Sequence, residues 1–209
     1  MTLTELGATA YPGTEPTAAL LVLAHGAGAG QHHPFMVSVA EALAARSISV
    51  VTFDFPYMRE RRKVPDRAPV LESAFRDVIA AARESVPGLP LFIGGKSMGG
   101  RMATHLGAQG LEGVTGIVVF GYPLHPPGKP DQPRIAHLPS IVAPTFIVQG
   151  QKDTFGTPDE LRPVLKTMTA PVMLHVVEGG DHSLSVRGSK GKRVLDDVAG
   201  VVAGWVRGV

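Results

Sequence analysis

The chain has 209 residues, 44% of them apolar and 18% charged, with a formal net charge of +2 and no cysteine. That length fits one domain, read as 1–209, and that balance supports a buried core, which excludes a disordered chain. The lack of cysteine excludes disulfides, thiolate metal ligands and a cysteine nucleophile, and so small a net charge gives no argument for a nucleic-acid partner.

The first residues, MTLTELGATAYPGTEP, carry acids and glycine where a secretory leader needs a basic start and an apolar run. No stretch approaches the ~18 apolar residues that a membrane span needs, so the expectation is a soluble, cytoplasmic chain with no membrane partner. A strand pattern, AALLVLAHG (Ala18 to Gly26), leads into a glycine-rich loop and a helical pattern from Pro34 to Arg46. SISVVTFDF (Ser47 to Phe55) reads as a second strand, followed by a helix over roughly Val70 to Ser85. LPLFIGG (Leu89 to Gly95) and VTGIVVFG (Val114 to Gly121) read as strands on either side of a helix from Met98 to Gln109. Two more strand–helix pairs close the chain: APTFIVQG (Ala143 to Gly150) with Pro158 to Met168, and PVMLHVVEG (Pro171 to Gly179) with Arg193 to Val206. Short β-branched runs alternating with helices argue for an α/β fold with a mostly parallel central sheet and helices on both faces. Pro34 and Pro158 suit first-turn positions of their helices. YPLHPPGKPDQPRIAHLPS (Tyr122 to Ser140) has too many prolines for a helix or strand. As a long loop at the carboxyl end of a strand, it is expected to shape a site. No insertion is long enough for a helical cap, so an open pocket is expected.

Gly95-Lys96-Ser97-Met98-Gly99 matches G-x-S-x-G with a strand before it and a helix after it, the context in which a serine is exposed on a strained turn. Close chain approach at such a turn leaves no room for flanking side chains, hence the glycines. The helix N-terminus also presents backbone N–H groups to an oxyanion forming at that serine. The competing reading is a plain structural turn.

A serine hydroxyl needs a base, and the base an orienting acid. Asp153 in GQKD and His182 in EGGDHS each follow a later strand, so both fall on the same sheet edge as Ser97, in the order Ser, Asp, His. Glu178 and Asp181 lie near the histidine in sequence. Asp181 adjoins His182 directly and is read as a turn residue, since a neighbour rarely folds back onto its own imidazole.

The oxyanion needs a second donor from the loop after an earlier strand. In His25-Gly26-Ala27-Gly28-Ala29-Gly30 the amide of Ala27 is the candidate, paired with that of Met98. The same loop fits no phosphate-binding glycine motif. His25, His32 and His33 lack metal-ligand spacing, so no metal is expected and His25 is read as a brace for the loop. Gly26, Gly28, Tyr57 and Tyr122 are candidates for substrate contact, with support of the site's floor as the alternative for Tyr57.

Basic residues gather in three stretches: Arg59, Arg61, Arg62 and Lys63; Lys129 and Arg134; and Arg187, Lys190, Lys192 and Arg193. All follow strand ends, so they can form a positive rim that favours an anionic substrate, or simply a solvated loop surface. Lys96 and Arg101, beside the serine, are read as structural braces. Met36, Met58, Met98 and Met102 are read as core, and Trp205 as packing against the sheet.

The blocks HGAGAG, HPFM, FDFPYM, GGKSMGGR, GYPLHPPGKP, VQGQKDTFGT and GGDHS, in that order, resemble the α/β-hydrolase superfamily over essentially the whole length. More narrowly they resemble the small bacterial branch related to dienelactone hydrolases, which also includes the hydrolase-like domain of the third non-specific lethal subunit of a chromatin complex. The resemblance implies an α/β-hydrolase fold with Ser97 as nucleophile, His182 as base and Asp153 as its orienter. Dienelactone hydrolases use a cysteine where this chain has Ser97. The expected activity is hydrolysis of a small ester or thioester through an acyl-enzyme, without a cofactor, by a monomer or homodimer. The alternative is a non-catalytic interaction module on the same fold.

Overall fold

The computed structural model describes residues 1–189 and 191–209. Its centre is a seven-stranded sheet of β1 (Thr9–Tyr11), β2 (Ala19–Ala24), β3 (Ile48–Phe53), β4 (Leu91–Lys96), β5 (Val114–Phe120), β6 (Thr145–Gly150) and β7 (Val172–Val177). The spatial order is β1-β3-β2-β4-β5-β6-β7, and every pairing is parallel except β1 with β3. The helices are α1 (Pro34–Ala44), α2 (Pro56–Arg59), α3 (Ala68–Ser85), α4 (Met98–Ala108), α5 (Pro158–Leu165) and, after the last strand, α6 (Gly191–Val206).

The five central strands, β2 to β6, are largely buried on both faces because their runs are continuously apolar rather than alternating. Leu21, Leu23, Phe92, Val118 and Phe146 point into one core, shared with α1 and α6. Leu20, Val22, Ile93, Ile117 and Ile147 point into the other, shared with α3 and α4. Each fully buried side chain of this size contributes roughly 1.5–3 kcal/mol of transfer free energy. Trp205 of α6 packs edge-on against Phe92, with ring centroids 5.7 Å apart, and lies 5.3 Å from Phe146.

Local chemistry sets the helix starts. His33 accepts the Phe35 N–H at 3.2 Å ahead of Pro34. Thr157 and Glu160 cap α5 reciprocally. On α3, Leu71, Phe75, Val78, Ile79 and Ala82 line one face at helical spacing.

The fold is that of an α/β-hydrolase with helices on both faces and, among the described residues, no cap domain. Three elements depart from the sequence expectation. The edge strand β1 spans only three residues, too few for periodicity to register. The short helix α2 follows Phe55 where a loop is expected. Inside the proline-rich segment, Leu138–Ser140 forms a single 3-10 turn.

The arrangement of β2 and β4 positions the site. From β2 the chain moves outward to β3 and then returns to the other side of β2 as β4, so the crevice between their carboxyl ends is the switch point at which α/β sheets bind ligands. Ala24 pairs with Gly95 there, which sets the glycine-rich loop beside Ser97.

Candidate active site

Ser97 closes β4 and opens α4 with φ 50° and ψ −111°, a backbone conformation rare for any residue but glycine. Its N–H donates to Phe120 O at 2.9 Å, so the strain is held by the end of the sheet ladder. The surrounding glycines are required by contact. A Cβ on Gly95 would lie 2.6 Å from Ala24 O, and one on Gly99 would lie 2.6 Å from His25 O. On Gly100 it would meet Val119 Cγ1 at 2.6 Å, and on Gly94 it would run into the Val118 carbonyl. At Gly95 and Gly99 the end of β2 passes where a side chain would otherwise stand, and at Gly94 and Gly100 β5 does.

Asp153 and His182 come from the loops after β6 and β7. His182 Nε2 lies 2.9 Å from Ser97 Oγ, and His182 Nδ1 lies 2.8 Å from Asp153 Oδ2. Because a carboxylate only accepts, Nδ1 carries the proton and Nε2 presents a lone pair to the serine hydroxyl. Asp153 is 1% exposed, and its other oxygen accepts the Phe155 N–H at 2.8 Å. Phe155 also stacks on the imidazole, with ring centroids 4.1 Å apart. Asp181 accepts the N–H groups of Ser183 and Ser185 at 2.8 and 2.9 Å, a turn role that leaves Asp153 as the histidine's partner.

The glycine-rich loop is held from below. His25 is buried; its Nε2 accepts the Phe55 N–H at 3.0 Å, so Nδ1 must be protonated and donates to Gly26 O at 2.7 Å. Burial holds this imidazole below its ordinary pKa, and it stays neutral. A trans peptide carries its N–H opposite its C=O. Fixing Gly26 O on His25 therefore turns the Ala27 N–H to the other side of the loop. Among the described residues, neither the Ala27 nor the Met98 N–H donates to a protein acceptor. Met98 is the first residue of α4, where N–H groups lack helical partners.

These groups face a cavity of about 540 Å³, whose walls include Gly26, Ala27, Gly28, Ser97, Met98 and His182. Gly26 and Gly28 thus stand where substrate contact is expected. Tyr57 and Tyr122 do not, and their assignment as substrate contacts is corrected. Both are 0% exposed and neither reaches the cavity wall. The Tyr57 hydroxyl donates to Ala27 O at 2.9 Å, supporting the loop, and the Tyr122 hydroxyl donates to Arg134 O at 2.5 Å, holding the proline-rich segment. Burial pushes the Tyr57 phenol up to about 12.

The basic rim is corrected in part. Arg62 is paired with Asp66 at 2.8 Å and Glu60 at 2.7 Å. Of the three stretches, only Arg134 lines the cavity, and Lys190 lies outside the described residues. Lys96 is a brace, its ammonium donating to the backbone carbonyl of His182, and burial brings its pKa down to about 8. Arg101, also expected as a brace, makes no side-chain hydrogen bond among the described residues and lines the cavity instead. Met36 and Met98 form part of the wall as well.

Sequence reasoning passed over Gln149, which is buried and donates to Asp153 Oδ2 at 2.8 Å. A glutamine ending the otherwise apolar run FIVQ was the available signal. Among the described residues, no cluster of histidines and acids could hold a metal, and no helix is long and apolar enough to cross a membrane.

The backbone is similar to that of a dienelactone hydrolase from Anabaena variabilis, with 20% identity, a TM-score of 0.74, and coverage of 95% of this chain and 89% of the other. It is likewise similar to an α/β serine hydrolase without a lid from Xanthomonas campestris, with 19% identity, a TM-score of 0.72, and coverage of 96% and 87%. A monoacylglycerol lipase from Paleococcus ferrophilus matches at 15% identity and a TM-score of 0.72, over 96% and 98% of the two chains. At these identities the likeness concerns the fold. A family model for the alpha/beta hydrolase domain matches residues 17–207. With that match spanning nearly all of the sequence, the chain belongs to the alpha/beta hydrolase family.

Proposed function

We propose that this protein is a serine hydrolase that cleaves a small carboxylic ester or thioester through an acyl-enzyme on Ser97. The observation that carries the reading is the hydrogen-bonded series Ser97 Oγ, His182 Nε2, His182 Nδ1, Asp153 Oδ2, with steps of 2.9 and 2.8 Å, opening onto the cavity. Ser97 Oγ attacks the substrate carbonyl while Nε2 takes its proton, and buried Asp153 stabilises the imidazolium. Charge developing on the carbonyl oxygen is met by the Met98 and Ala27 N–H groups at the positive end of α4. As the tetrahedral intermediate collapses, the carbon–oxygen or carbon–sulfur bond breaks and Nε2 returns its proton to the departing alcohol or thiol. Water, deprotonated by the same nitrogen, then attacks the acyl carbon and restores Ser97 with release of the acid. No step calls for a cofactor, and the units named all belong to one domain.

The test is intact-mass labelling with a fluorophosphonate. One adduct is expected on the wild type, with none on Ser97→Ala and strongly slowed labelling on His182→Ala. Ester hydrolysis in both variants is expected to fall by roughly 10⁴-fold or more. A folded wild type that takes up no probe would sink the reading and leave an interaction module on this fold.

A further inference from the structure

Besides the imidazoles of His33 and His182, four charged side chains line the cavity: Asp66, Lys96, Arg101 and Arg134. Two are already engaged. Asp66 accepts from Arg62 at 2.8 Å and from the Tyr57 N–H at 3.0 Å, and Lys96 donates to the His182 carbonyl. Among the described residues, neither the Arg101 nor the Arg134 guanidinium has a hydrogen bond or a carboxylate partner. Glu72, an acid in the field of Arg101, is taken up by His105 and Gln109, both at 2.8 Å.

The fold brings these two guanidiniums to one place. The Arg101 N–H donates to Ser97 O at 2.9 Å, so Arg101 stands one turn along α4 from Ser97 on the same helix face. Helical side chains lean toward the N-terminus, which here means toward Ser97. Arg134 is held by its backbone, its N–H donating to Leu124 O at 2.7 Å and its carbonyl accepting from Tyr122 at 2.5 Å. The buried Tyr122 hydroxyl lies in the field of both guanidiniums. Burial, and next the like charge of Arg134, disfavour the charged form of Arg101. Two partly buried cations with five donors each and no acceptor form an arrangement that one oxyanion resolves, since the guanidinium fork matches carboxylate and phosphate oxygens in pairs.

We propose that Arg101 and Arg134 form a subsite for an oxyanion carried by the substrate away from its scissile bond, so that the natural substrate is an acidic ester. This rests on Ser97 being the nucleophile. Carboxylate and phosphate share the required chemistry, and the same cavity holds both the reacting serine and the clamp, so the anion belongs to the molecule being cleaved.

The test compares three para-nitrophenyl esters of equal chain length: one ending in a carboxylate, the adipate half-ester; one ending in its neutral methyl ester; and one ending in a phosphate. At low salt, kcat/KM for at least one acidic ester is expected to exceed the neutral one by about ten- to hundredfold, the size of a charge-assisted contact. Whichever anion wins names the source. Arg101→Gln and Arg134→Gln should each shrink that ratio, and the double variant should bring it to about one. Arg61→Gln, whose side chain lies outside the cavity, should keep it. A second arm measures binding of monomethyl adipate and of inorganic phosphate to Ser97→Ala by calorimetry, with binding lost in the triple variant that also carries both glutamines. A wild-type ratio near one for both anions overturns the proposal, as does a ratio that survives the double variant. If no ester turns over, failure of both anions to bind Ser97→Ala overturns it. Fluorophosphonate labelling reports on Ser97 separately, so a labelled enzyme that ignores charge refutes the subsite alone.

Discussion

Gln149 donates through Nε2 to Asp153 Oδ2 at 2.8 Å, the same oxygen that accepts from His182 Nδ1 at 2.8 Å. The amide also donates to Gly156 O at 2.7 Å and accepts the Tyr122 N–H at 2.7 Å. One buried side chain therefore fixes the acid, the loop that carries it and the start of the proline-rich segment. Replacing it with an apolar residue of similar size leaves buried backbone groups without partners, at about 1–3 kcal/mol each. Gln149→Leu is expected to lower the urea midpoint and to reduce kcat by about ten- to hundredfold with little change in KM, as a shifted base would. Unchanged kcat in a destabilised variant would show that Asp153 does not depend on this anchor.

The glycines around the site divide into two kinds. A Cβ at Gly99 would meet Ala24 C at 2.6 Å, against backbone that cannot yield, whereas nothing lies within 4 Å of a Cβ at Gly28. Gly99→Ala is expected to lose about 3 kcal/mol or more, and Gly28→Ala to stay within about 0.5 kcal/mol of the wild type. Thermal unfolding of the two variants side by side decides the point.

That contrast shows what was legible beforehand. The six long strands, the turn at Ser97 and the order of Ser97, Asp153 and His182 follow from periodicity and motif context, because local chemistry determines them. The choice between substrate contact and support for Tyr57, and the role of Tyr122, did not, since a tyrosine after a strand reads alike whether its hydroxyl faces solvent or a buried carbonyl. Nor did the isolation of Arg101 and Arg134, which depends on Glu72 being taken up by His105 and Gln109, partners distant in sequence. The three-residue β1 is fixed by pairing with β3 rather than by any pattern of its own.

Tyr57 offers a mild perturbation of the glycine-rich loop. Its phenol is pushed up to about 12, so it remains a donor to Ala27 O throughout the usual assay range. Tyr57→Phe keeps the ring in place and removes that donor, with an expected loss of about 0.5–1.5 kcal/mol in stability. A three- to tenfold fall in kcat, measured on a neutral ester, is expected if the loop then drifts by a few tenths of an ångström.

His137 sets an acid limit on stability. Its Nε2 lies 2.9 Å from Thr104 Oγ1, which already donates to Arg101 O, so Nε2 carries a proton and donates. Burial, then the neighbouring His105 and Arg101, hold its pKa down to about 4, below the ordinary imidazole value of about 6.5. Between those two values the unfolded chain binds a proton that the native one refuses, so stability falls as pH drops from about 6.5 to about 4 and rises in the opposite direction. His137→Asn is expected to flatten this part of the curve, as followed by urea unfolding at half-unit steps of pH. An equally steep fall in the variant would assign it to the carboxylates.

Ser97 ends the fourth strand, but Asp153 and His182 wait on the sixth and seventh, at the far side of the sheet. A chain emerging from the ribosome exposes its serine early, beside glycines that let the β2 backbone pass close to it, while the base that would activate it is still being made. The hydroxyl is then an ordinary alcohol. On the proposed mechanism, hydrolytic competence arrives only when the last strand docks, so the nascent protein would be chemically silent until nearly all of its sheet has formed.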